Sequence, residues 1–325
     1  MNHRQRLEAC ITGKSVDRPP VALWRHFPVD DQYPEFFARS VLEFQSAFDF
    51  DFVKVTPASS FCVKDYGVVD QWKGNPEGTR DYIRYPIKHA RDWLKLKPLL
   101  PTEGFLGGQL RALQVITCEL DHSTPVLQTI FNPLSQAKNL VGKEQLFVHM
   151  RQYPQELLAG LEILTENTIR FIQCCLPLGI QGIFFAVQHA QSTLLSSNEL
   201  EKFILPFDQK IINAVSHLWL NVLHLHGKDI YFDLFPKEGF SVVNWHDQET
   251  SPSLQAAKSS FLGAVCGGLK QWETLVYSSP KDVESEGKQA IQATSGERFI
   301  LGTGCVLPII APRSNIQAAR KSVEK

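Results

Sequence analysis

Leu220-Asn-Val-Leu-His-Leu-His226, LNVLHLH, is a short, mostly apolar run that ends in two histidines one residue apart and is followed at once by Gly227. An apolar run of this kind makes a strand only where both of its faces are covered, which is the setting of a parallel sheet. Seven other runs share its character: Pro20–Trp24, Phe50–Thr56, Pro125–Phe131, Ile180–Val187, Ser241–His246, Phe261–Cys266 and Phe299–Thr303. Helical or turn-rich sequence separates them. In Gln155–Gln173, for example, Leu157, Leu161, Leu164 and Ile172 fall near one face of a 3.6-residue period. Another helix starts at a capping box, Ser196 to Glu199, and changes course at Pro206.

Strands alternating with helices over 325 residues predict one α/β domain spanning residues 1–325, a (β/α)8 TIM-type barrel. An open doubly wound sheet is the alternative, but no GxGxxG or Walker-type loop follows the first strand. Residues 59–123 are too long for an ordinary βα loop and are rich in Gly, Pro and charge, so they predict an inserted cap after the second strand.

The charges balance, 33 basic against 34 acidic, which argues against nucleic acid as a partner. No segment has the apolar length of a membrane span and the first residues lack a secretory apolar core, so a cytoplasmic protein is expected. Seven cysteines without a CxxC pair indicate neither a disulfide framework nor a zinc ribbon.

Strand alternation puts His224 and His226 on one side, at the C-terminal mouth of the barrel, where Gly227 lets the chain turn away. Two adjacent imidazoles can hold a metal, move protons or hydrogen-bond within a polar interior. Cys305, in Leu301–Pro308 (LGTGCVLP) after the last strand, is the candidate third ligand; otherwise it is a small buried residue. Two nitrogens and a sulfur suit Zn2+ and leave one position open for substrate. His189 and His246, after the fourth and sixth strands, reach the same mouth as a general base, a fourth ligand or plain rim histidines. Arg25 and His26 orient an anionic part of a substrate or form a rim salt bridge. Lys54 is either an interior cation or, as is commoner for a strand lysine, a side chain that snorkels to water.

Several of these stretches together resemble the uroporphyrinogen decarboxylase superfamily: Asp17–Arg25 (DRPPVALWR), Phe203–Phe207 (FILPF), His224–Gly227 (HLHG), Gly267–Leu269 (GGL), Leu301–Pro308 and Ala311–Ile316 (APRSNI). The resemblance implies a distorted (β/α)8 barrel and one of two chemistries, cofactor-free decarboxylation of porphyrinogens or zinc-dependent methyl transfer between corrinoids and thiols. The decarboxylases are matched at Arg25, but their second arginine has no counterpart in His26–Asp30. Their aspartate, tyrosine and histidine fall near Thr56, Lys138 and Thr303. The methyltransferase branch, with a His-x-Cys-Gly element and a Gly-Cys element that bind zinc, is matched at His224 and Cys305, while His226 replaces the first cysteine. The resemblance thus implies a zinc enzyme that transfers a methyl group to a small thiol. The donor is expected to be a corrinoid on a separate protein, because this chain lacks a D-x-H-x-x-G corrinoid signature. A homodimer is a family-based expectation. The alternatives are a lyase acting on a tetrapyrrole or smaller carboxylate, and a non-catalytic tetrapyrrole-binding relative.

Overall fold

A computed structural model describes residues 1–324. Helix α1 (His3–Ile11) precedes an irregular segment, residues 20–25, which leads into α2 (Pro34–Phe48) and strand β1 (Val53–Val55). The hairpin β2 (Val69–Gln71) and β3 (Asp81–Arg84) and helix α3 (Gly104–Glu119) come next, then β4 (Val126–Phe131), α4 (Pro133–Val141), α5 (Lys143–Gln152) and α6 (Pro154–Cys175). The rest follows as β5 (Gly182–Val187), α7 (Ser197–Phe203), α8 (Leu205–Val215), β6 (Val222–Leu225), β7 (Val242–Trp245), α9 (Leu254–Ser260), β8 (Ala264–Leu269), α10 (Pro280–Thr294), β9 (Phe299–Thr303) and α11 (Arg313–Lys321).

Seven of these strands form one parallel sheet in the order β1-β4-β5-β6-β7-β8-β9. The predicted first strand, Pro20–Trp24, is not a regular strand but closes the curled sheet into a barrel. Ala22 N–H donates to Leu301 O (2.9 Å), Leu301 N–H donates to Pro20 O (2.8 Å), and on the other side Asp51 N–H donates to Val21 O (2.9 Å). Pro19 and Pro20 supply no N–H, so a full ladder cannot form there. The architecture is the predicted (β/α)8 TIM-type barrel.

Two apolar clusters follow from strand alternation. Trp24, Phe52, Leu127, Phe184, Val222, Val242, Cys266 and Ile300 fill the barrel interior together with Leu7 and Cys10 of α1, which therefore plugs the end at which the strands begin. The larger cluster lies between the strands and the helices and includes Leu161, Leu164, Phe185, Val243 and Trp245. Pro206 sits in the first turn of α8, and the break from α7 falls at Ile204, as the sequence predicts.

Within residues 59–123, α3 packs against α2 in the outer ring. The stretch around residues 72–80 instead reaches across the mouth: Trp272 Nε1 donates to Glu77 Oε1 (3.1 Å) and Ile309 N–H donates to Pro76 O (2.6 Å). Among the described residues no helix is long and apolar enough to cross a membrane.

Candidate functional site

At the C-terminal ends of the strands four side chains converge. His224 on β6, His226 just beyond it, His246 just beyond β7 and Cys305 just beyond β9 each direct one donor atom inward, and these atoms all lie within 4.8 Å of one another. Cys305 Sγ is 3.6 Å from His226 Nδ1 and 4.0 Å from His224 Nε2, and His226 Nδ1 is 3.2 Å from His246 Nε2. Four ligands around zinc at ordinary bond lengths stand roughly 3.3–3.6 Å apart, so small side-chain shifts would complete the set.

Local backbone chemistry delivers each group. The β6–β7 register pairs His224 with Asn244, so both face the interior. Gly304 passes so close to β7 that a Cβ there would fall 2.6 Å from His246 Cα, and only glycine lets Cys305 come this near. Thr303 Oγ1 donates to Cys305 O at 2.6 Å and fixes the turn.

Hydrogen bonds also set which nitrogens carry protons. Both amide hydrogens of Asn244 are used, by Cys266 O and Thr303 O at 2.9 Å each, so its Oδ1 can only accept from His224 Nδ1 at 2.6 Å. His224 Nε2 therefore presents a lone pair toward Cys305. His246 Nδ1 lies 3.5 Å from Glu249 Oε1, and Lys228 braces that carboxylate at 3.2 Å. Burial, reinforced by the neighbouring His226 and His246, holds the pKa of His224 well below the usual histidine value; burial likewise lowers that of His226. Both are held in the neutral form that a metal requires.

The other predicted positions sit differently. His189 is buried outside the four-donor set, with no partner on Nδ1, and burial and then the field of Lys138 push its pKa down to about 3. His26 is buried under Gly78, its Nδ1 also unpartnered, and burial lowers its pKa to about 3. Among the described residues Arg25 forms no rim salt bridge: it donates to the carbonyls of His26 and Ile309, each at 3.3 Å, and lies over the Phe27 ring. Lys54 does not snorkel, because β1 aims it into the barrel interior. It is 8% exposed there, its Nζ 4.5 Å from the centre of the Phe184 ring.

Sequence reasoning missed Asn244 and Glu249. Asn244 could have been found, because it alternates with His246 as His224 does with His226. Glu249 lies beyond the strand, where no periodicity applies. A cavity of about 120 Å³ opens beside the set, lined by His246, Glu249, Lys270, Gln271 and Gly304 among others, and gives small molecules an approach from the His246 side.

Known enzymes of two different chemistries are similar to this chain. The methylcobamide:CoM methyltransferase MtbA of Methanosarcina mazei is 24% identical over 72% of this chain and 68% of its own. A uroporphyrinogen decarboxylase of Geobacter sulfurreducens is 25% identical over 97% and 96%. Among solved structures, a methyltransferase from Methanosarcina mazei shares the fold with a TM-score of 0.83 at 19% identity, covering 99% of this chain and 98% of its own. Residues 2–325 match uroporphyrinogen decarboxylase (URO-D) itself as a family, so the chain, similar in sequence to enzymes named for either chemistry, belongs to the URO-D family.

Proposed function

We propose that this chain is a zinc-dependent methyltransferase that passes a methyl group from a corrinoid on a separate protein to a small thiol. The observation that carries the reading is the convergence of His224, His226, His246 and Cys305. His224, His226 and Cys305 hold the metal, with Asn244 fixing the lone pair of His224. Bound zinc would lower the pKa of a thiol in its open position enough to give thiolate near neutral pH.

His246 stands on the cavity side and takes the proton of the entering thiol on Nε2, while Glu249 holds Nδ1–H. A corrinoid donor would supply the methyl group, which the sulfur would take as the carbon–cobalt electron pair left with cobalt. Residues 72–80, which reach across the mouth, limit the entry of water. The decarboxylase alternative is weaker, because Thr56 accepts a bond from Lys54 Nζ and donates one to the Lys54 carbonyl where those enzymes carry a carboxylate.

The test is zinc content per chain. Wild type is expected to hold about one zinc, His224→Ala and Cys305→Ser to lose it, and His246→Ala to keep it while losing thiol methylation. A wild type that takes no zinc on reconstitution would sink the reading.

A further inference from the structure

A second cavity, of about 190 Å³, lies where α2 and α3 pack together in the outer ring. It shares no lining residue with the metal set or with the cavity beside that set. Phe37 of α2, Phe61 and Phe105 of α3 give it apolar walls. Its inner polar groups are acceptors. Gln109 spends its Nε2 on Gln128 Oε1 at 3.2 Å, and among the described residues its own Oε1 takes no hydrogen bond. Asp31 also lines the cavity; its side chain is 0% exposed, and its Oδ2 has no partner.

The neighbouring acid shows what Asp31 lacks. Burial would raise the pKa of Asp70, but Lys64, which donates to it at 2.5 Å, and the Ser60 hydroxyl outweigh burial and bring it below the usual carboxylate value. Arg80 stands between the two acids and favours the same one: it lies 3.2 Å from Asp70 Oδ2 and 3.6 Å from Asp31 Oδ1, and its Nε and Nη1 align with neither for a hydrogen bond. Asp31 is left with the Gln32 amide at 2.8 Å, and burial raises its pKa to about 6. A carboxylate taken out of water with a free oxygen carries a desolvation cost that a further donor would offset. The aromatic wall already takes one cation, since Lys64 Nζ lies 4.7 Å from the centre of the Phe105 ring.

We propose that this cavity is a second binding site, for a small organic cation whose N–H groups bond Asp31 and Gln109 while its flat apolar body lies among the phenylalanines. An ammonium or amidinium head supplies the donors that the two acceptors lack, and charge assistance strengthens the bond to Asp31. Arg111 lines the cavity as an exposed side chain, where water screens its charge. None of these groups touches the metal set, so the site stands whether or not the chain takes zinc.

Benzamidine is the probe, titrated calorimetrically into metal-stripped wild type, Asp31→Asn and Ala112→Phe, with benzoate as the control. Ala112 is buried on the α3 wall, so phenylalanine there crowds the cavity without touching Asp31's charge. The expected result is saturable binding to wild type, weakened by about tenfold or more in each variant. Protonation of Asp31 removes the charge that holds the probe, so wild-type affinity should also fall by up to about tenfold between pH 7 and pH 5, and Asp31→Asn should abolish that dependence. Absence of saturable binding, binding that survives either substitution in a variant that still unfolds cooperatively in urea, or benzoate binding as tightly as benzamidine would overturn the proposal. Should a variant fail to fold, the wild-type profile decides: a flat affinity from pH 7 to pH 5 overturns it.

Discussion

Asp51 and Lys54 belong to the same short segment, one just before β1 and the other within it, and both are buried charges. At the end where the strands begin, Asp51 is saturated. Arg6 donates to it at 2.6 Å, Arg18 at 2.7 Å, the Val21 N–H at 2.8 Å and His3 at 3.1 Å. At the other end Lys54 has one neutral partner and His26 and His189 each leave a nitrogen unpaired. One end of the barrel is closed by its own ion pairs and the other presents polar groups without partners among the described residues. That contrast separates stability from function more clearly than any list of polar residues.

The sharpest way to break the comparison is Asp51→Ala. It strands Arg18, leaves Arg6 with Asp17 alone, and unties α1 and the closing segment 20–25 together, so urea unfolding near neutral pH should show a loss of about 3–5 kcal/mol. A loss under about 1 kcal/mol would mean that water repairs the site and that the closed end is not closed. Titration offers a second, smaller effect. Burial alone would raise the pKa of Asp51, but His3, Arg18 and the Val21 N–H outweigh it and bring it down to about 2. A depressed carboxyl stabilises fully above its unfolded value of about 3.9 and loses that contribution as pH falls toward the folded value. The gap in stability between wild type and Asp51→Ala should therefore shrink by roughly 2 kcal/mol between pH 5 and pH 2. A constant gap would place the ion network's contribution elsewhere.

The contrast also explains what the sequence could and could not reveal. Strand and helix periods, the capping box at Ser196 and the break before α8 depend on neighbours in the chain, so they were legible. The His-x-His pair and Cys305 were legible as a candidate set because a barrel brings all strand ends to one mouth. The irregular closure by residues 20–25 was hidden, because it depends on which carbonyls remain free beside β9 and β1. Lys54 was misread for a related reason. Snorkelling is the usual outcome for a strand lysine, and only the three-dimensional register, which pairs Lys54 with the interior residue Leu127, shows that its side chain turns into the barrel. Sequence pattern predicts rules well, and the functional end of this barrel is where a rule is broken.

If the Lys54 charge is retained for a ligand and not for the fold, removing it should help the fold. Lys54→Met keeps the volume and discards an unpaired charge, so the metal-stripped protein should gain about 1–2 kcal/mol in urea unfolding. This is opposite in sign to Asp51→Ala. A loss of similar size would mean that the ammonium is satisfied within the chain and that the two ends are alike after all.

The smallest expected effect refines this. Thr56→Val removes the ammonium's one acceptor among the described residues, and with it the hydroxyl that donates back to the Lys54 carbonyl, without changing side-chain volume much. Were Thr56 a true counterpart of the Asp51 network, its loss would cost as much as breaking a buried pair. A neutral hydroxyl cannot neutralise a charge, however, so the expected loss is only about 0.5–1 kcal/mol, that of an ordinary hydrogen bond. In the Lys54→Met background the loss should shrink without vanishing, because the ammonium's bond is gone while the hydroxyl's bond to the backbone carbonyl of position 54 remains. A double-mutant cycle in urea measures the difference directly. A coupling above about 2 kcal/mol would make Lys54 and Thr56 a self-sufficient structural pair, and the open end of the barrel would then have no unmet charge to offer a substrate.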